Sequence, residues 1–351
     1  MGKSRIPHSG SAGEAPSGGG PRIKGEDRLR WVLEEAGVLP DAASLDENQV
    51  VSLDGGVDAL TYLVRRNGQD VVVKLNDHGL EAEARALRAW QEYTSCVPRV
   101  LGAGTVPGTG TRPVKYLVLA AMVNDEGDIV ETAVEYLKRS PTAAREVGRQ
   151  LGAELHRLHQ ARGATGFGNF ADSAGAERTY HAWSAYLEEF FMQHADYVRG
   201  LGIRDRQIDH ARAFIRQCPY VDEPRYLHGD VSIRNIAMRS YDPIRISLFD
   251  PNPLCGDPSW DIAPMTNNVD FNERRHRRDD SASETLLRDR ELLAGFGESY
   301  PSVVAETSLL TAQLVQAVLQ AEHRTAGSDH DELDVKVTHE FIRDVMERMS
   351  A

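Results

Sequence analysis

Residues 226–237 read YLHGDVSIRNIA. Within them His228, Asp230, Arg234 and Asn235 fall in eight positions, flanked by Tyr226-Leu227 on one side and Ile236-Ala237 on the other. Apolar ends of this kind anchor a short polar loop between two buried segments. Asp230 and Asn235 stand five residues apart. A carboxylate that accepts a hydroxyl proton and an amide carbonyl that ligates a cation can reach one phosphate from a single loop at that separation. His228 reads as a structural histidine. Arg234 stays open between a phosphate contact and a surface role.

Downstream, IRISLFD (244–250) is a short apolar strand that ends in Asp250, with Pro251 after it. Asp250 comes fifteen residues after Asn235 and is placed to share a Mg2+ with it. Taken alone, it is an ordinary strand-end aspartate.

Upstream, residues 45–123 change hydrophobic period, from strand to helix and back. NQVVSLDGGVDALTYLVRRNGQDVVVKLN (48–76) predicts three strands separated by a Gly55-Gly56 turn and an Asn67-Gly68 hairpin. GLEAEARALRAWQEY (79–93) predicts a helix with Leu80, Ala84, Leu87 and Trp90 on one stripe. VPRVLGAGTV (97–106) and VKYLVLAAMV (114–123) predict two more strands. The order β-β-β-α-β-β implies an antiparallel sheet with one inserted helix, an α+β unit. The Gly55-Gly56 backbone can approach phosphates closely, though an ordinary turn explains it as well. Lys74 interrupts the apolar strand VVVKL, so its ammonium needs a partner. Glu83 on the following helix is one candidate, with Glu81 and Glu92 as competitors.

A helix is expected before this unit, over GEDRLRWVLEEAG (25–37), with Leu29, Val32 and Leu33 on one face and its end at Gly37. After residue 122 the pattern turns helical. Val147, Leu151, Leu155 and Leu158 repeat at helical spacing, YHAWSAYLEEFFMQHADYV (180–198) and RQIDHARAFIRQC (206–218) are further helices, and 281–350 is mostly helical. Residues 1–22, rich in Gly, Ser and Pro, are expected to be a disordered tail.

The composition is that of a globular protein: 41% hydrophobic and 26% charged over 351 residues, which fits two domains. A net charge of −13 disfavours nucleic acid and anionic membranes as partners and would attract cationic ligands. Three widely spaced cysteines, Cys96, Cys218 and Cys255, argue against a disulfide framework or zinc site and for a reducing, cytoplasmic setting. No apolar run approaches the length of a membrane span, and no apolar segment follows Lys3 and Arg5 to make a secretory leader. Oligomeric state is left open.

The full order is glycine turn, strand lysine, helix glutamate, HGD…N and strand aspartate, which matches the parts of a protein-kinase-like phosphotransferase. LHGDVSIRNIA (227–237) followed by SLFDPNPLCGDPSWDIA (247–263) resembles the aminoglycoside phosphotransferase family, the antibiotic-kinase branch of that fold. The family's catalytic motif is HGDxxxxN, and its metal aspartate sits in a D-P-x-P context, here DPNP. LGAELHRLHQ (151–160) resembles the family helix that ends in Leu-His, and GDPSWDIA its GDPxxDLA. The likeness spans about residues 45 to 265. Ser232 and Arg234 depart from the usual residues of the catalytic motif, and the glycine turn lacks GxGxxG.

The resemblance implies a bilobal protein-kinase-like fold: a nucleotide-binding lobe over 23–122 with a five-stranded antiparallel sheet and one helix, and a larger, mainly helical catalytic and substrate lobe over 123–351. It implies that Lys74 contacts the phosphates of ATP or GTP, that Glu83 orients it, and that Gly55, Gly56 and the hinge at Ala121 complete the nucleotide contacts. Asp230 would position the acceptor hydroxyl, Asn235 and Asp250 would hold Mg2+, and Asp261 would brace the catalytic loop. The implied reaction is O-phosphorylation of a small molecule, an antibiotic (aminoglycoside-like, basic peptide or nucleoside) and hence resistance, or a metabolite such as an amino sugar, nucleoside, choline or homoserine. Glu188, Glu189, Asp196, Asp329, Asp331, Glu332, Asp334 and Glu340 could line a pocket for a cationic acceptor or could be solvated helix faces. The basic run NERRHRRDD (272–280) could reach an anion or could be solvated. A pseudokinase-type binding protein is the non-enzyme alternative, against which the intact Lys74, Asp230, Asn235 and Asp250 argue. A metal hydrolase is disfavoured by the lack of paired histidines such as HExxH.

Overall fold

The structure is a computed structural model that describes residues 25–37, 50–53, 60–65, 70–76, 79–106, 113–161, 164, 166–170, 180–279, 283–301, 304–326 and 332–350. The expected tail, the Gly55-Gly56 turn, the Asn67-Gly68 turn and the acids Asp329 and Asp331 lie outside them. The chain divides into two compact units, residues 1–85 with 99–121, and residues 86–98 with 122–351.

The first unit contains α1 (Gly25–Glu35), β1 (Val50–Leu53), β2 (Leu60–Val64), β3 (Val71–Asn76), the first half of α2 (Leu80–Trp90), β4 (Val100–Val106) and β5 (Val114–Ala120). Its strands form one antiparallel sheet in the order β1-β2-β3-β5-β4. β2 and β3 pair antiparallel with Val64 opposite Val71. Side chains alternate across a strand. Val71, Val73 and Leu75 therefore share one face, and there they pack with Leu29, Val32 and Leu33 of α1. Each such fully buried side chain contributes about 1.5–3 kcal/mol. Lys74 projects from the opposite face. The helix expected over 25–37 thus packs on the sheet, because the apolar stripe of α1 needs a partner. That helix ends at Gly37, whose φ of 65° closes it.

The second unit continues with α3 (Ala133–Arg139), α4 (Ala144–Gln160), β6 (Gly168–Asn169), α5 (Trp183–Gln193), α6 (Ala195–Gly200), α7 (Asp205–Gln217), β7 (Arg225–Leu227), β8 (Ile236–Tyr241), β9 (Ile244–Leu248), β10 (Leu254–Gly256), α8 (Ser259–His276), α9 (Ser283–Ser299), α10 (Glu306–Ala326) and α11 (Glu332–Arg348). The helix expected over 180–198 breaks at His194, which ends α5 and starts α6; its ring is bonded to Glu322 of α10. The core joins α5, α7, α8, α10 and α11 through side chains such as Trp183, Leu187, Ile208, Trp260, Leu314 and Phe341. α4 and α9 meet almost backbone to backbone. A Cβ on Gly148 would stand 2.0 Å from the Leu292 carbonyl oxygen, and one on Gly295 would stand 1.8 Å from that of Arg145. Only glycine permits that approach.

Two small sheets frame the polar loop. β10 pairs with β7, Leu254 opposite Leu227, and β8 pairs with β9, Ile236 opposite Leu248. The loop leaves β7 and enters β8, so both of its ends are pinned.

Candidate active site

In the first unit, Lys74 Nζ donates to Glu83 Oε1 at 2.7 Å, and both side chains are more than nine-tenths buried. The strand period aims Lys74 at the face where the first turn of α2 supplies the carboxylate. The competitors are placed elsewhere. Glu81 pairs with Lys115 of β5, and Glu92 is exposed beyond the end of α2. A buried ion pair adds little net stability, but breaking it leaves an uncompensated charge. Its value here is to hold an ammonium at a fixed place. Ala121, at the end of this unit, donates its N–H to the Asp70 carbonyl at 2.9 Å.

In the second unit, the stretch 228–235 folds into a turn closed by the Asn235 N–H on the Ser232 carbonyl. That turn brings Asn235 back onto Asp230. Its Nδ2 donates to the Asp230 carboxylate at 2.8 Å and to the Asp230 carbonyl at 3.0 Å. Asp230 keeps access to solvent while protein crowds it on other sides. Loss of hydration raises its pKa above the usual carboxylate value; the like charges of Asp250 and Asp261 push the same way, and the Asn235 hydrogen bond opposes them.

Asp261 holds the loop from beneath. It is fully buried in the first turn of α8, where Oδ2 accepts the His228 N–H and Oδ1 accepts the Gly229 N–H, both at 2.8 Å. This is the bracing that the GDPSWDIA stretch suggested. Gly229 has φ of 80°, and a Cβ there would stand 1.7 Å from the Asn252 carbonyl oxygen. His228 is buried, 1% exposed. Its Nε2–H donates to the Phe249 carbonyl at 3.1 Å, Trp90 stacks on its ring at 6.1 Å, and burial pushes its pKa below the usual histidine range. The pairing to a carbonyl puts the proton of the neutral ring on Nε2.

Asp250 reaches the loop through the β8–β9 hairpin. With Ile236 opposite Leu248, the next residues out meet, and the Phe249 N–H donates to the Asn235 carbonyl at 3.0 Å. Asp250 follows at once, with φ of 55°, a left-handed backbone that aspartate tolerates better than most residues. The hairpin thus carries a residue fifteen positions away to the side of Asn235. The donor set suits a hard divalent cation. Asn235 spends its amide N–H on Asp230, which leaves the carbonyl end for a ligand, and the mutual repulsion of Asp230, Asp250 and Asp261 is what a cation would relieve.

Residues 49–298 match the family described as the phosphotransferase enzyme family. The chain belongs to that family. It is a kinase, an enzyme that moves a phosphoryl group to a hydroxyl. A probable ketoamine kinase of Vibrio parahaemolyticus is 27% identical over 225 residues, 61% of this chain and 70% of the relative. Among solved structures, an amicoumacin kinase in complex with AMP-PNP and Ca2+ aligns with a TM-score of 0.57 at 12% identity, covering 93% of this chain and 96% of that one. The aminoglycoside phosphotransferase APH(4)-Ia aligns with a TM-score of 0.56 at 15% identity, covering 92% and 98%. These likenesses establish the fold.

Four of the acids that could line a pocket for a cationic acceptor pair with arginines. Glu188 binds Arg212 and Arg216, Asp196 binds Arg199, Asp334 binds Arg275 and Glu340 binds Arg278. The basic run is the other side of the same pairing. It ends α8, and Arg274, Arg275 and Arg278 all bind carboxylates of α11. The basic run thus takes part in docking α8 to α11, and Glu188 joins α5 to α7, while the Asp196–Arg199 pair lies within α6. Among the described residues no group of three or more His, Cys, Asp or Glu forms a metal cluster, and no helix is long and apolar enough to cross a membrane. Tyr300 and Trp90, which touch His159 and His228, were not singled out for the loop by sequence reading. His159 itself lies at the Leu-His end of the LGAELHRLHQ helix to which the resemblance pointed.

Proposed function

We propose that this kinase transfers the terminal phosphoryl group of ATP or GTP to a hydroxyl of a small molecule, with Asp230 as the residue that positions and deprotonates the acceptor. The observation that carries the reading is the Asn235–Asp230 hydrogen bond beside Asp250. Phosphoryl transfer has a loose transition state, so the protein's task is to position reactants and stabilise charge. Asp230, fixed by Asn235 and by the braced loop, accepts the hydroxyl proton as the oxygen attacks. Its raised pKa brings it nearer to the range where a carboxylate can take up a proton at neutral pH. Lys74, fixed by Glu83, holds nucleotide phosphates, with the Gly55-Gly56 turn and the backbone at Ala121 as further nucleotide contacts. Asn235 and Asp250 would hold Mg2+, which neutralises phosphate charge when bound.

Two acceptor classes have support. The antibiotic reading rests on the motif resemblance and on the fold shared with APH(4)-Ia and the amicoumacin kinase. The metabolic reading rests on the probable ketoamine kinase, whose 27% identity over 225 residues is higher than that of the two solved structures. The test is a coupled nucleotide-turnover screen with ATP and GTP in parallel over aminoglycosides, basic peptide and nucleoside antibiotics, amino sugars and ketoamines. Expression in an antibiotic-sensitive host then follows. Phosphorylation of an antibiotic together with raised tolerance supports resistance; phosphorylation of a ketoamine alone supports metabolism. If no acceptor is phosphorylated by either nucleotide, the reading is wrong.

A further inference from the structure

The buried carboxylate that braces the catalytic loop is itself held by a chain of side chains from two other helices. His159, at the end of α4 and 1% exposed, places Nε2 3.0 Å from Asp261 Oδ2. Its other nitrogen, Nδ1, stands 2.7 Å from the hydroxyl of Tyr300, the residue just after α9. Asp261 Oδ2 is the same oxygen that accepts the His228 N–H. Tyr300, His159, Asp261 and the loop amides therefore form one continuous, buried hydrogen-bonded line ending next to Asp230.

The chemistry fixes the direction of that line at its Asp261 end. Asp261 can only accept, so His159 donates from Nε2. Nδ1 and the Tyr300 hydroxyl share the second hydrogen bond of the ring. Without that hydroxyl, Nδ1 would be an unsatisfied buried group, and the ring would be free to change tautomer or turn away from Asp261.

The placement of Tyr300 is itself determined. Leu292 lies on Gly148, Phe296 lies on Gly152, and the Tyr300 ring meets His156 and His159 edge-on at 5.7 Å. The contacts advance together turn by turn, so the glycine-permitted approach of α9 to α4 sets the register that delivers the hydroxyl. Tyr300 also stacks on Phe296 at 4.9 Å, which restricts its ring.

We propose that Tyr300 and His159 are positioning residues for phosphoryl transfer: they orient Asp261, and through its two backbone contacts they set the place of Asp230. The proposal rests on the reading of Asp230 as the residue that positions the acceptor. Neither residue touches a reactant in this scheme.

The experiment compares wild type with Tyr300→Phe, His159→Leu and His159→Gln. Gln can place an N–H where Nε2 was; Leu cannot. Tyr300→Phe and His159→Leu are expected to lower kcat by roughly tenfold or more, the scale of one lost buried hydrogen bond, with the nucleotide KM unchanged. His159→Gln is expected to recover most of the loss. Amide hydrogen exchange supplies a second readout that needs no activity. In Tyr300→Phe the 226–232 peptide is expected to exchange faster while β2, β3 and β5 keep their protection. Unchanged kcat and unchanged loop exchange in a folded Tyr300→Phe protein would overturn the proposal, as would His159→Gln behaving like His159→Leu. If wild type itself phosphorylates nothing, the kinase reading fails, and the exchange measurement still decides whether the chain holds the loop.

Discussion

Asp230 does not hold its place by the Asn235 hydrogen bonds alone. Its neighbour Gly229 adopts a left-handed backbone against the Asn252 carbonyl, and both Gly229 and His228 hang from Asp261. Gly229→Ala is expected to cost about 2–4 kcal/mol from backbone strain and overlap, and to abolish transfer even where the protein folds; chemical denaturation and a turnover assay check both. His228 gives a pH signature. Its folded pKa is depressed by burial, while the unfolded chain titrates near 6.5. The unfolded state therefore binds more protons as pH falls below that value, and the contribution of His228 to stability, complete above it, is lost in acid. Stability measured from pH 7.5 to 5 should fall less steeply in His228→Gln than in wild type. Equal slopes would show that His228 does not carry the effect.

At the scale of elements, the antiparallel hairpin does what a linear motif cannot. Asn235 and Asp250 come together because β8 and β9 pair Ile236 with Leu248. The apolar strand and its terminal aspartate are visible in the sequence, so that much of the site was legible before any coordinates. The same holds for Lys74, since an isolated lysine among valines demands a partner, but the choice of Glu83 over Glu81 needed the strand's face and the helix's first turn. Tyr300 and Trp90 were illegible for their roles. Their partners lie more than 100 residues away, and an aromatic residue in a helix carries no mark of the ring it will touch. The α1 helix was legible as a helix from Leu29, Val32 and Leu33, though not as a cover for the face opposite Lys74. Glu83→Ala takes a carboxylate partner away from the buried Lys74 ammonium and should destabilise the protein by about 3–5 kcal/mol. Lys74→Met with Glu83→Leu should restore stability and not nucleotide affinity. Paired urea melts and nucleotide titrations would test this, and recovery of nucleotide affinity in the double variant would remove the pair from nucleotide binding.

At the scale of the whole molecule, an excess of acid does not by itself make a trap for cations. Of the acids that composition brought to attention, Glu188, Asp196, Asp334 and Glu340 are bound to arginines, and much of the opposing basic charge is spent on the same contacts. Sequence shows the number of charges but not their partners, which is why both runs read as open alternatives. An acceptor held by free surface carboxylates would lose affinity steeply with added salt. With these acids paired, the acceptor KM is expected to change little between low and physiological ionic strength, and steady-state kinetics at several salt concentrations measures it. A steep rise in KM would instead support an acceptor held by free carboxylates.

All three scales meet in one claim, that Asp230 acts on the acceptor while other residues hold the nucleotide. The direct measurement is single-turnover transfer to the acceptor found by the screen, by wild type and Asp230→Ala, alongside nucleotide affinity of both proteins by calorimetry. The account predicts that Asp230→Ala binds nucleotide as wild type does and transfers at least about 100-fold more slowly, as expected when a preorganised polar contact is lost. Transfer at the wild-type rate by a folded Asp230→Ala protein would contradict it.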